Sequence, residues 1–277
     1  MNVLVTGCSS GFGLLTAVTF ARHGHSVVAS VRSDVGEAAI REAADLAEVS
    51  VEVVRLDVGD PESVRRTTTF VAQRHGPIEV LINNAGIEIF GALHLVTDAE
   101  VERQFDTNVA GLLRMYRAVV PSMIAAGSGV IVNIGSIAGQ VGVPYSGLYA
   151  ASKHAVEALS EAMHFEVSHL GIRVALVEPG QFATALGTNS IVAASMTIDT
   201  EEHRRWQAFR SAQRGLVDGQ PADPQLVADV VYRAATTTEP QLRWPVGDDA
   251  ALVLGTKAAM SFEEFETVMR STLDWHD

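Results

Sequence analysis

The sequence predicts an α/β fold of the doubly wound kind, a mostly parallel sheet with helices on both faces. Three observations carry this reading. Short apolar runs rich in β-branched residues recur along the chain, segments with helical spacing separate them, and the first run opens onto a glycine-rich turn. Runs of that length suit buried strands, and their alternation with helices implies right-handed βαβ units.

The first strand is expected at residues 2–6 and its helix at 12–23. Strands follow at 26–31, 51–56 and 80–83, with a helix over 61–75 between the last two. A helix over 100–123 leads to a strand at 129–135, and a helix over 149–169 leads to a sixth strand at 172–177. A seventh strand is expected at 242–246. Residues 181–220 are the least regular, with small residues giving way to a charged segment at 201–205 before Trp206 and Phe209. They follow the sixth strand, beyond the sheet edge where open α/β folds bind ligands, and are read as a substrate lid; a plain surface insertion is the alternative. No linker, low-complexity tract or solenoid repeat divides the chain, so residues 1–277 are expected to form one dinucleotide-binding catalytic domain.

Composition narrows the function. The 277 residues are 47% hydrophobic and 19% charged, enough to bury a substantial core. A formal charge of -13 repels phosphate backbones and anionic membrane surfaces, so nucleic acid is not expected as a partner. Cys8 is the single cysteine, which excludes an intramolecular disulfide and fits a reducing compartment. No basic segment, long apolar region or cleavage site precedes the first strand, and a cytoplasmic location is expected. The longest uncharged stretch, 118–152, contains Pro121, Gly127, Gly129, Asn133, Gly135, Gly139 and Pro144, which break it into a helix end, a strand and a loop rather than a membrane span. The nine histidines form no dense ligand pattern; His154, His164 and His169 read as helix-face residues, and no metal is expected.

The turn after the first strand admits two chemistries. Gly7-Cys8-Ser9-Ser10-Gly11 fits the elbow that presents Ser9 as a hydrolase nucleophile. Thr6-Gly7, Gly11 and Gly13 instead fit a turn that lets phosphate approach a helix N-terminus. An elbow needs an oxyanion loop from an earlier strand connection, and no strand precedes this one. The phosphate loop is therefore the stronger reading, with Cys8 a small residue in the turn.

Four further features stand at fitting distances: Asn83-Asn84-Ala85-Gly86 after the fourth strand, Asn108, Ser136 after the fifth, and Tyr149-x-x-x-Lys153. Together with the glycine turn they resemble the short-chain dehydrogenase/reductase family, over residues 2–180. The resemblance implies a Rossmann-type fold that holds a nicotinamide dinucleotide on Thr6, Gly7, Ser9, Ser10, Gly11, Phe12 and Gly13, and on Asn84, Ala85 and Gly86. Phe12 stands where many relatives carry Ile. The resemblance also implies that Asp57 meets the adenine, and that Pro179, Gly180 and Thr184 meet the nicotinamide end. Asp57 has a local alternative as a cap for the helix that begins near Pro61. The segments 244–247 and 262–265 are similar to the branch containing hydroxysteroid and retinol dehydrogenases, which makes a steroid-like substrate a candidate.

Moving hydride between nicotinamide and a carbonyl carbon leaves an oxygen that needs a proton. Tyr149 is the expected acid. Its ordinary pKa is about 10, and Lys153, one helical turn further on, is expected to lower it. Ser136 is expected to donate to the substrate oxygen. The resemblance gives Lys153 a second task, binding the nicotinamide ribose, and gives Asn108 the task of holding a water that links Lys153 to solvent. Tyr145 reads as a loop aromatic.

Cofactor choice turns on Val31-Arg32 after the second strand. Enzymes that prefer NAD commonly place an acid there to bond the ribose 2′-hydroxyl. Here Val31 takes that position and Arg32 offers a planar cation for a 2′-phosphate, so NADP is expected over NAD; a one-residue slip would bring Asp34 into question. The resemblance further implies a homodimer or homotetramer through helices 100–123 and 149–169, and Ala155, Ala158, Leu159, Ala162, Phe165 and Val167 keep much of the second helix apolar. The expected activity is oxidation and reduction between an apolar ketone and its secondary alcohol. The alternatives are a dinucleotide-sensing protein without turnover and a sugar-nucleotide epimerase or dehydratase.

Overall fold

A computed structural model describes residues 1–182, 191–197, 200–215 and 222–273 of the chain. Strands β1 (Asn2–Val5), β2 (Ser26–Val31), β3 (Glu52–Arg55), β4 (Val80–Asn83), β6 (Gly129–Ile134), β7 (Ile172–Pro179) and β9 (Arg243–Val246) form one sheet in the order β3-β2-β1-β4-β6-β7-β9. Every pairing in it is parallel, with Val3 beside Val27 on one side and Val80 on the other. Two strands too short to register in the sequence, β5 (Ile89–Phe90) and β8 (Ile191–Val192), pair separately.

Alternation along the strands feeds two cores. Val3, Val5, Val27, Ala29, Val80 and Ile82 face helices α1 (Gly11–Arg22) and α2 (Asp34–Leu46), with α8 (Gln225–Thr236) beside them. Leu4, Val28, Leu81 and Ile131 face α3 (Pro61–His75), α5 (Gly111–Ala126) and α6 (Gly147–Val167). The helices α7 (Glu201–Gly215), α9 (Asp248–Ala259) and α10 (Phe262–Leu273) lie beyond this framework.

The helix expected over 100–123 is interrupted. Helix α4 (Asp98–Phe105), started by a Thr97–Glu100 capping box, passes into a π-helical turn at Asp106–Ala110 before α5 begins. Asn108 lies in that turn, with its amide bonded to the backbone of Ile87 and to Ser152. The segment Asp98–Ala126 is long and apolar enough in composition for a membrane span. Its Leu112, Met115, Val119 and Met123 are buried against the sheet, so the apolar content serves the core.

One clasp joins the strands that diverge at the sheet centre. The Thr6 hydroxyl donates to Ile82 O at 3.1 Å and accepts from Asn84 N and Ala85 N, both at 3.0 Å. The Asn84 amide in turn donates to Thr6 O at 2.8 Å and Gly7 O at 3.0 Å. Thr6→Val keeps the shape but strands the Ala85 amide, at about 1–3 kcal/mol when unpaired, and leaves Asn84 N with its bond to Ile82 O alone. We expect a loss of that order in chemical denaturation, restored by Thr6→Ser.

Candidate active site

A cleft of about 680 Å³ opens at the carboxyl ends of the strands, centred where the chain leaves β1 for β2 on one side and β4 for the far half of the sheet on the other. Such a switch point is where open α/β sheets bind ligands.

At one end the glycine turn forms a cradle. Gly7 and Gly11 take φ of +73° and +57°, the left-handed region that favours glycine. A side chain on Gly13 would come within 2.4 Å of Gly7 O, so its glycine lets the helix close on the turn. Helix α1 starts from Ser10 with no side-chain cap and no acidic residue in its first turn. Its first amides and the positive end of its dipole are thus available to an anion. Ser9, Ser10, Gly11 and Phe12 line the cleft, together with Asn84, Ala85 and Gly86. These features fit a dinucleotide phosphate. Thr6 and Gly13 do not line it; they hold its floor together. None of the described residues lining the cleft is a histidine, so Ser9 lacks the base of a serine-histidine pair there, which counts against the hydrolase reading. Cys8 is fully buried, and burial pushes its thiol up to about 12.

Val31 and Arg32 both line the cleft, Val31 buried and Arg32 exposed. Asp34, the residue a slipped alignment would have substituted, is paired with Arg55 outside it. Asp57 also lines the cleft, and its carboxylate accepts from Gly59 N at 2.9 Å. The cap of α3 is Asp60, which accepts from Glu62 N, so the local alternative for Asp57 fails. Pro179 and Gly180 line the opposite wall, and Thr184 lies outside the described residues.

Ser136, Tyr149 and Lys153 meet at the deep end. Tyr149 and Lys153 share one face of α6, with Lys153 Nζ 5.6 Å from the centre of the Tyr149 ring. The ammonium donates to Ile134 O at 2.7 Å. Its pKa is depressed to about 8 by burial, against the opposing charges of Glu88 and Glu157. The expected lowering of Tyr149 is not what the protein alone provides. Burial, with the negative charge of Glu88 behind it, holds the phenol well above its ordinary range, and the Ser136 hydroxyl draws it back only in part. Desolvation outweighs a cation whose own charge is disfavoured.

Asn108 is 3% exposed and does not line the cleft. Its amide bonds Ile87 N at 2.9 Å, Ile87 O at 3.0 Å and Ser152 Oγ at 3.0 Å, and Ser152 Oγ donates to Tyr149 O at 2.7 Å. The side chain therefore ties the helix that bears Tyr149 to the strand end that bears Gly86. Tyr145 packs outside the cleft, against Ala193, Met196 and Trp206.

Sequence reasoning missed Glu88, Ser146, Phe182, Arg210 and Gln213, all of which line the cleft. Glu88 left a signal, a lone charge inside Ile87-Glu88-Ile89-Phe90. The others come from loops and from α7, where no periodicity indicates direction. The apolar residues of the helix over 149–169 divide between core and surface. Val167 is buried and Leu159 packs against the sheet-side core, whereas Phe165 is 77% exposed and Ala158 and Ala162 are exposed beside it.

The family model for short chain dehydrogenases matches residues 1–193. A 3-ketodihydrosphingosine reductase of Bacteroides thetaiotaomicron is 43% identical over 201 residues, covering 73% of this chain and 71% of that protein. Human retinol dehydrogenase 8 is 34% identical over 252 residues, covering 87% and 80%. Among solved structures, actinorhodin polyketide ketoreductase with NADPH superposes with a TM-score of 0.77 at 28% identity, covering 91% and 96%. With a glycine cradle at one end of its cleft and serine, tyrosine and lysine at the other, this chain belongs to the short-chain dehydrogenase/reductase family of oxidoreductases.

Proposed function

We propose that this protein interconverts a ketone and its secondary alcohol with NADP(H). The observation that carries the reading is the placement of Ser136, Tyr149 and Lys153 in one cleft with an uncapped helix N-terminus and Arg32. The names of the relatives support carbonyl or alcohol chemistry, and the apolar walls at Ile87, Phe90, Val143 and Phe182 favour an apolar substrate, steroid-like ones included. The described part of 181–220 covers the substrate end, with Phe182, Arg210 and Gln213 lining the cleft and Trp206 and Phe209 anchoring α7, while 183–190, 198–199 and 216–220 lie outside the described residues.

When bound, the nicotinamide supplies or accepts the hydride. Ser136 donates to the carbonyl oxygen and Tyr149 gives it a proton as charge develops there. The burial that keeps the phenol protonated suits this reductive direction. In oxidation the proton must leave Tyr149, and the Lys153 ammonium on the same helix face stabilises the resulting phenolate. Asn108 acts by holding Tyr149 and the 84–86 turn in register.

Tyr149→Phe should keep NADPH affinity, read by fluorescence titration, and lose about 10²–10⁴-fold in turnover; retention of more than about a tenth of the activity would remove Tyr149 as the acid.

Arg32 should give about a 10- to 150-fold preference for NADPH over NADH in kcat/KM, the range of a hydrogen bond to a charged group. Arg32→Ala should erase most of it while sparing NADH use, and Val31→Asp should shift it towards NADH. Equal use of both cofactors by the unmodified protein would refute the assignment.

Assembly should place Phe165 and its neighbouring alanines against a second copy. Light scattering at micromolar concentration should show a dimer or tetramer that Phe165→Glu dissociates, and a monomeric unmodified protein would exclude this.

A further inference from the structure

Glu88 is a carboxylate the reaction described above does not use, yet it lines the same cleft as Ser136, Tyr149 and Lys153. Its backbone is held on both sides. Ile87 is bonded through its N–H and carbonyl to Asn108, Ile89 opens β5, and Glu88 O accepts from Ile191 N at 3.3 Å. The side chain is held as well. Ser146 Oγ donates to Glu88 Oε1 at 2.8 Å.

That bond displaces another. Ser146 stands at the N-cap of α6, where a serine hydroxyl ordinarily accepts from the first turn of the helix, and here it makes no such cap. The preceding residue, Tyr145, takes φ of +63°, a conformation uncommon for a residue with a side chain, and its carbonyl accepts from Gly91 N at 2.8 Å. The loop that carries Ser146 is thus clamped to the strand that follows Glu88. The same cleft is lined by Ile87, Phe90 and Val143 as well as by Lys153 and Arg210. Burial there pushes Glu88 up to about 7, against its bond to Ser146 and the charges of Arg210 and Lys153. A carboxylate costs free energy in such a place, and Ser146 takes up only one of its roughly four acceptor positions.

We propose that Glu88 is a specificity-determining residue that accepts a hydrogen bond from a donor, a hydroxyl or an ammonium, which the substrate carries beside its carbonyl. The cleft then favours hydroxy- and amino-ketones over plain ketones. This inference rests on the ketone-reducing activity proposed above. A carboxylate that served only as counter-charge to Lys153 and Arg210 would affect all ketones alike, whereas a recognition residue acts on the ratio between them.

The test compares acetophenone, 2-hydroxyacetophenone and 2-aminoacetophenone as substrates with NADPH, in the unmodified protein, Glu88→Gln and Glu88→Ala. The readout is the kcat/KM ratio of each donor-bearing ketone to acetophenone, so intrinsic reactivity cancels between proteins. Glu88→Ala should lower both ratios by about 10- to 150-fold. Glu88→Gln, whose amide oxygen still accepts, should keep part of the hydroxyl ratio and lose the ammonium one. Ratios equal in all three proteins would overturn the inference while leaving the ketone-reducing reading intact. Binding of 2-amino-1-phenylethanol and 1-phenylethanol, measured by calorimetry, decides the point independently of turnover. A preference for the amino alcohol that Glu88→Ala abolishes supports the inference even where no ketone is reduced, and equal binding of the two alcohols overturns it.

Discussion

Everything in the cleft depends on two parallel strands parting at the centre of the sheet. Strand β1 pairs with β2 on one side and β4 on the other, and the chain leaves β1 and β4 towards opposite halves of the sheet. A crevice at that point would open the backbone of both turns to water were they not bonded to each other. The Thr6 hydroxyl and the Asn84 amide supply those bonds, joining the two turns through five hydrogen-bonding contacts. The glycines are then required by space. Gly7 packs on Ala85 and Gly13 on Gly7, which leaves room for a phosphate but none for another side chain. The turn that binds and the turn that supports are one bonded unit.

The reactive end is built against the preference of its own groups. Tyr149 and Lys153 are both buried, and burial opposes charge on each. Further along α6, Glu157 lies beside Glu178 of β7, with Arg243 bonded to the first and Gln140 to the second. Burial raises both carboxyls, and the neighbouring negative charge helps to push Glu157 up to about 7. A row of titratable groups thus runs along one helix, each held away from its ordinary ionisation by lack of water. Such a site changes charge readily when a charged ligand enters, because small differences in environment decide which form is favoured.

Helix α6 divides its faces among separate tasks. Val156, Met163 and Val167 pack on the sheet, Tyr149 and Lys153 face the cleft, and Ala158, Ala162 and Phe165 remain outside. The outer face also carries His154, Glu161 and Glu166, so its exposed apolar residues stand among polar and charged ones. Periodicity marks Phe165 and Val167 alike as apolar, and only the fold shows that the first is exposed and the second buried.

The sequence by itself determined the alternation of strands and helices, the parallel sheet and the shared helix face of Tyr149 and Lys153. These are local properties: a short β-branched run suits only a buried strand, and residues four apart on a helix share a face. Strand and helix ends fell within a few residues of their observed positions, and Ser26–Val31 and Pro61–His75 coincide. The tertiary structure alone decided what depends on distant segments meeting. The π turn at Asn108 exists because its amide reaches Ile87 and Ser152, and Glu88 faces the cleft because β5 pairs with a strand some hundred residues later in the chain. The ionisation of Tyr149 belongs to the same class. Spacing showed the cation beside it, but the burial that outweighs that cation is produced by the whole fold.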